Sequence, residues 1–340
     1  MALLNLAAWR RRLLLCLLLV PLYAAEDVCA LTIKLASPLP EATEWNNSLL
    51  RMAEEWSAIT GGLVQIKIYP GGIVGGEGDV VRKMRIGQLD AGVFSAFGLR
   101  AIVPETLVLT LPGLILDHEE LNFILNNFVW HFDKRFREEG FEILAWSQSG
   151  WAHVYSSVPV SNIAELKERR LAVDNTESTT NSGFKSLGFN VVPVGINETI
   201  IALQSGLVDT FAAPPMIAAA FQWFAFAPYM SNLKLTPVIG GLVLSRRVWL
   251  RIPGEYHDAL RASMLRVARD FSSASARLND KAMAVMQDNG LQVISLDEAA
   301  RNEWRDAMIS WHSLVVGEDK DIPAEMYKKL LDERKKFRNK

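Results

Sequence analysis

The chain has 340 residues, of which half are hydrophobic and 22% charged, with a formal net charge of -2 at neutral pH. That length supports one large or two medium domains with real cores, and so small a charge leaves no electrostatic footprint for nucleic acid. The two cysteines, Cys16 and Cys29, both fall in the first thirty residues, so the rest of the chain has no thiol for a disulfide, a cysteine-ligated zinc or a nucleophile.

Those thirty residues stand apart. Arg10, Arg11 and Arg12 precede an apolar run from Leu13 to Tyr23, followed by the small residues Ala24 and Ala25. This is the layout of a secretory signal peptide, and the run falls short of the ~20 residues that span a bilayer. Val28-Cys29-Ala30 offers the small residues a signal peptidase wants, so cleavage after Ala30 is expected, with retention as an N-terminal anchor the alternative. The mature protein is then exported and periplasmic, since no later stretch is long and apolar enough to span.

Leu31 to Ala36 alternates as a strand. Trp45, Leu49, Met52, Trp56 and Ile59 recur at helical spacing until Gly61-Gly62. Val64 to Tyr69 is a second strand, closed by Pro70-Gly71-Gly72. A short helix to Gly87 and a strand from Ala91 to Ser95 follow. Leu121, Ile124, Leu125, Phe128, Phe132 and Phe136 mark one long helical stripe, and Phe141 to Trp146 a strand. Asn162 with Glu165 fits a capping box. Strands at Leu171–Asp174, Asn190–Val192 and Val208–Ala212 alternate with helices at Thr179–Leu187 and from a cap at Asn197 to Gly206. Pro253 to Gln287 is helical, and the basic tail from Ala324 reads as a solvated helix end. The alternation implies an α/β fold with a largely parallel sheet. Gly87-Gln88-Leu89-Asp90 and Gly206-Leu207-Val208-Asp209 echo each other, a helix stop, an apolar residue, an aspartate and a strand start, and suggest two lobes of similar build.

Enzyme signatures are absent: no Gly-x-Ser-x-Gly, no His-Glu-x-x-His and no Gly-x-x-x-x-Gly-Lys-Ser/Thr. The Gly-rich run Gly71 to Gly78 lacks a P-loop lysine and reads as a strand-to-helix turn. The histidines have no metal-ligand spacing. No catalysis, metal or cofactor is expected.

From Leu31 to about Trp311 the chain resembles the DctP-type solute receptors of tripartite ATP-independent periplasmic (TRAP) transporters. The resemblance is carried in order by Ile33-Lys34-Leu35-Ala36, Tyr69-Pro70-Gly71-Gly72, Gly75-Gly76-Glu77, Gly87-Gln88-Leu89-Asp90, Val103-Pro104-Glu105, Ala164-Glu165-Leu166-Lys167, Val192-Pro193 and Ala202 to Asp209. It implies a two-lobed periplasmic-binding-protein fold of type II-like, DctP build, with hinge strands and a long late helix bracing both lobes. Lobe I would hold 31–149 with about 240–280, lobe II 150–239 with about 281–323, and 324–340 the basic tail. It also implies delivery of a ligand to small and large membrane subunits.

The resemblance puts the ligand against Ser37, Trp45, Trp146, Ser149, Trp151, Ala152, Ala172, Asp174, Phe211, Ala213 and Trp223. Here the chain departs from the family. Arginines that would pair with a carboxylate align with Ala172 and Ala152, and a Glu-Asn pair with Ala212-Ala213, beside a set of aromatics that also includes Phe221 and Phe224. A carboxylate in a closed cleft without a cation loses several kcal/mol of hydration; an apolar ligand gains ~25 cal/mol per Å² buried. The expected ligand is therefore hydrophobic or amphipathic. One alternative is an organic acid held by a displaced cation, Arg100 or His153; another is a ligand-free interaction protein. The alanines also resemble a family branch associated with a tetratricopeptide-repeat (TPR) partner.

Overall fold

The computed structural model describes residues 30–175 and 178–339, with side chains for all of these but 178–180. The expected signal segment lies outside the described residues, but for Ala30. Strand β1 (Leu31–Ala36) leads to α1 (Glu44–Ile59), β2 (Val64–Tyr69), α2 (Glu77–Arg85), β3 (Ala91–Ser95) and α3 (Ala96–Ile102). A 3₁₀ stretch, Pro104–Thr110, precedes α4 (His118–Asn127) and α5 (Trp130–Glu138). Next come β4 (Phe141–Ser156), α6 (Ile163–Lys167), β5 (Arg170–Val173), α7 (Ser178–Ser186), β6 (Asn190–Pro193), α8 (Thr199–Gln204), β7 (Thr210–Ala213) and α9 (Pro215–Ala220). The chain continues through β8 (Tyr229–Ser231), β9 (Thr236–Ser245), α10 (Arg246–Trp249), α11 (His257–Asp288), β10 (Gln292–Ile294), α12 (Glu298–Val315) and α13 (Ala324–Arg338).

The main sheet runs β2-β1-β3-β9-β4-β7-β5-β6, and its two halves repeat one plan. A parallel trio, β2-β1-β3 or β6-β5-β7, meets an antiparallel neighbour, β9 or β4. The sheet is therefore mixed rather than largely parallel, because β4 and β9 run against the strands they join. The echo between Gly87–Asp90 and Gly206–Asp209 belongs to this repeat. Both glycines hold positive φ, 76° and 69°, the left-handed helix-stop conformation that disfavours any side chain. The Asp90 carboxylate accepts from Lys34 N at 2.9 Å and the Asp209 carboxylate from Arg170 N at 2.8 Å, so each aspartate pins the middle strand of its trio.

Strand β4 joins the halves of the one compact unit Leu31–Lys340. Phe141 to Ala152 pair with β9, and His153 to Ser156 pair with β7. A β-bulge falls between Gln148 and Gly150. A bulge leaves backbone groups without ladder partners, and here α11 supplies them: Gln148 N donates to Ser272 Oγ at 3.1 Å, and Asn279 Nδ2 donates to Ser149 O at 2.9 Å. Asn279 Oδ1 also accepts from Met216 N of α9 at 3.0 Å. The long helix thus spans both halves, as the resemblance implies.

Three further readings change. The aromatic stripe over 121–136 is two helices, broken at Phe128–Val129, that bury Phe128, Phe132 and Phe136 in one core. The tail is not a solvated end. In α13 Leu330 is fully buried, and Glu120 of α4 (1% exposed) accepts from Arg338 Nε at 2.8 Å and Arg334 Nε at 3.3 Å. Burial alone would raise the Glu120 carboxyl, but these arginines and Leu116 N hold it below its ordinary value. The expected cap at Asn197 is also absent: Glu198 precedes α8 without a side-chain hydrogen bond, and Asn197 Nδ2 donates instead to Gly72 O at 3.4 Å.

Candidate ligand-binding site

A cavity of about 760 Å³ lies where the C-terminal ends of the parallel trios meet β4, β9 and α12. Sheet strands of this kind end in a crevice at such a place. The size suits a small organic molecule.

Strand β4 contributes through its bulge. Side chains alternate along a strand, and an extra residue flips the phase. Ser147 and the bulged Ser149 line the cavity, and Ala152 and Val154 line it after the bulge. The other face turns away. Trp146 packs on Phe132 and Phe136 at 5.8 and 6.1 Å, Gln148 bonds to His118 and Asn122, and Trp151 lies 4.6 Å from His118.

Of the residues expected at the ligand, Trp45, Ser149, Ala152, Ala172, Asp174, Phe211, Ala213 and Trp223 line this cavity, whereas Ser37, Trp146 and Trp151 do not. Ser37 is buried beside β2, its backbone N–H bonded to Tyr69 O. The alternative cations are also elsewhere. Arg100, of α3, has its guanidinium 3.8 Å from the Asp321 carboxylate. His153 bonds Ser231 O on the far face of β4, and burial holds its imidazole below the usual range.

Phe211, Phe221 and Trp223 form an aromatic group with centroid spacings of 5.2 and 5.0 Å to Trp223, which enters from a turn where Gln222 holds φ of 56°. Trp45 meets Phe271 edge-on at 4.4 Å. Residues not anticipated are Trp304, Ala307, Met308 and Trp311 of α12, all in the wall. They stand at i, i+3, i+4 and i+7, a readable helical stripe.

Charge in the wall is uneven. Among the described residues it holds four carboxylates, Glu77, Asp79, Asp174 and Glu198, and one cation, Arg82, which is paired with Asp79 at 2.7 Å. Glu77 starts α2 and caps α3: it accepts from Ser95 N and Ser95 Oγ at 2.9 Å and from Gly98 N at 2.7 Å. Burial pushes its carboxyl up to about 7, and the nearby Asp174 carboxylate adds to the rise. No group of acids and histidines among the described residues is arranged to hold a metal, and no described helix is long and apolar enough to cross a membrane.

The family model of the bacterial extracellular solute-binding proteins, family 7 (DctP), matches residues 35–316. The chain is 22% identical over 260 residues to the 2,3-diketo-L-gulonate-binding periplasmic protein YiaO of Escherichia coli, covering 74% of this chain and 78% of that one. A solute-binding protein of Verminephrobacter eiseniae is 25% identical over 260 residues, 73% and 75% of the two chains. Two solved structures share the fold. One is a TRAP periplasmic solute-binding protein from Xanthobacter autotrophicus with bound β-D-galacturonate (TM-score 0.81, 21% identity, 88% of this chain and 98% of that one). The other is a counterpart from Pseudomonas putida with bound D-glucuronate (0.78, 19%, 90% and 96%).

Proposed function

This chain belongs to the bacterial extracellular solute-binding proteins of family 7, a family of receptors rather than enzymes, and from that premise we propose that its ligand is hydrophobic or amphipathic. One observation carries the reading: among the described residues the cavity wall has alanine at 152, 172 and 213, and its one arginine, Arg82, is paired with Asp79. A carboxylate entering it would lose several kcal/mol of hydration, and among the described residues the wall offers in return only Arg82, an exposed cation already shared with Asp79. An apolar chain burying on the order of 300 Å² would gain about 7 kcal/mol against the costs of association. The residues proposed to contact it are the eight that line the cavity. Lobes are proposed to divide where β4 passes from β9 to β7, at Ala152 and His153, and to close on the ligand by a hinge. Delivery to a TRAP-type membrane pair is supported by the TRAP receptors that share the fold. Association with a TPR protein is supported by the alanines alone.

A second reading, an organic acid, is favoured by the sugar acids named for the similar proteins. Native mass spectrometry of purified protein before and after organic extraction separates the two. A lipid-like mass removed by extraction is expected; a co-purifying organic acid overturns the apolar reading, and a protein that stays empty and binds no apolar probe points to an interaction protein. Ala172→Arg is the matching variant. It should weaken an apolar ligand by about a hundredfold or more, because burying a guanidinium against an apolar ligand costs several kcal/mol; tighter binding of glucuronate by the wild type than by this variant would reverse the assignment.

A further inference from the structure

Among the described residues the cavity wall carries six hydroxyl side chains, Ser95, Thr110, Ser147, Ser149, Thr199 and Thr236. Four are spent within the protein. Ser95 Oγ donates to Glu77 Oε2 at 2.9 Å, Thr110 Oγ1 to Leu107 O at 3.2 Å, Thr199 Oγ1 to Gly195 O at 3.0 Å and Thr236 Oγ1 to Thr110 O at 2.6 Å. The two left, Ser147 and Ser149, flank Gln148 on β4, whose own side chain is turned away to His118 and Asn122. Neither hydroxyl has a hydrogen-bond partner among the described residues.

Ser147 is the deeper of the two, 5% exposed. It pairs across the sheet with Gly240 of β9, which also lines the cavity and has no side chain to cover it. A methyl group added at 240 would lie 3.8 Å from Ser147 Oγ and would meet Phe94 O at 2.6 Å, so the floor beside the serine stays bare. The strand is fixed from α11, where Ser272 accepts from Gln148 N and Asn279 donates to Ser149 O. A buried hydroxyl on a rigid floor is stranded when an apolar group covers it and satisfied when an oxygen does. We infer that the ligand carries an uncharged oxygen, of a hydroxyl, ketone or ester group, that hydrogen-bonds Ser147 Oγ. Ser149, half-buried, is a weaker second contact. Ser147 is then a specificity-determining residue, choosing among apolar ligands by their oxygen. This deepens the apolar-ligand reading and rests on it.

The test follows tryptophan emission while 2-heptanone, 1-heptene and heptanoate, equal in chain length, are titrated into wild type and Ser147→Ala. Removing a hydroxyl that bonds nothing in the protein should leave the thermal midpoint unchanged. The variant should bind 2-heptanone about tenfold more weakly, and 1-heptene within about a factor of two of wild type. Ser149→Ala should weaken the ketone about threefold, because water can replace a half-buried contact. A ketone affinity unchanged in Ser147→Ala, or ketone and alkene weakened alike, would overturn the inference and leave the apolar reading standing. Heptanoate held more tightly than the ketone by wild type, and lost in Ser147→Ala, would put an anionic oxygen at the serine and overturn the uncharged assignment. Failure of both 2-heptanone and 1-heptene to bind wild type would overturn the apolar reading and this inference together.

Discussion

The turns at Gly87–Asp90 and Gly206–Asp209 do the same work, yet the strands they pin have different fates. By their pairing, Leu35 with Ala91 and Leu171 with Thr210, Ala36 in β1 corresponds to Ala172 in β5, and Pro38 to Asp174. Ala36 is sealed in a core (3% exposed) under α2 and α4, whereas Ala172 is only partly buried and faces the cavity. The frame is repeated; what differs is what covers it. In the first half the covering helices are bolted down by the tail, through Glu120 with Arg334 and Arg338. In the second half Ala172 is left open to the cavity, which the strand ends of both halves border. Repetition of a backbone plan therefore sets where a site is, and the covering decides what the site recognises.

The largest expected effect comes from undoing the bolt. Arg334→Ala with Arg338→Ala leaves Glu120 buried and unpaired, a change worth about 3 kcal/mol of stability, since a stranded buried charge costs far more than a surface pair. Hydrogen exchange should show lost protection in α4 and α13 and little change in β5, β6 and β7. The gap from wild type should narrow as pH falls, because the wild-type Glu120, held below its ordinary value, contributes stability above about pH 4.5 that disappears in acid. A variant that lost protection equally in both halves would contradict the comparison.

Glu77 titrates with the opposite sign. Its folded value of about 7 stands above the ordinary carboxyl value of 4.5, so the folded protein holds a proton through a range in which the unfolded chain has released it. The contribution of Glu77 to stability is then greatest below pH 4.5 and declines as pH rises to 7, by roughly 1–3 kcal/mol. Denaturant titrations of wild type and Glu77→Gln between pH 4.5 and 7.5 check this, and the decline should be missing in the variant. A wild-type curve that is flat over that window would show that the three hydrogen bonds to Glu77 outweigh its burial.

How legible all this was depended on distance along the chain. β1, β2 and β3 follow from alternation and turn residues within a few positions. β9 was not among the expected strands, and it carries Pro237, Gly240 and Gly241, residue types that weaken a strand pattern. The reason for the glycines is non-local: side chains at 240 and 241 would come within 2.6 Å of Phe94 O and 2.9 Å of Ala145 O on the neighbouring strands. The far end of β4 was hidden in Ser147-Gln148-Ser149-Gly150, where the bulge breaks the alternation, and the same bulge turned Trp146 and Trp151 away from the cavity while keeping Ser149 and Ala152 in it. The charges of α13 looked solvated because their partner, Glu120, stands more than two hundred positions away. The alanines of the wall were found because a family pattern supplied the positions; the α12 stripe, Trp304 to Trp311, needed only its own spacing.

The finest test compares the two aspartates themselves. Asp90→Ala and Asp209→Ala each remove an acceptor from one strand N–H, of Lys34 or Arg170. A hydrogen bond to a charged acceptor contributes about 1.5–3 kcal/mol, less where water can replace it, so each variant should lose about 1–2 kcal/mol. Asp209 also pairs with the half-exposed Arg170 guanidinium at 3.1 Å and accepts from Thr210 Oγ1. The exposed pair adds at most ~1 kcal/mol, so Asp209→Ala should be the costlier variant by no more than that. Measured in high salt, the difference should shrink while the shared part remains, because screening weakens the surface pair and not the hydrogen bond to the strand. If Asp90→Ala were silent while Asp209→Ala cost several kcal/mol, the two turns would not be one device, and the equivalence of Ala36 with Ala172 would lose its structural basis.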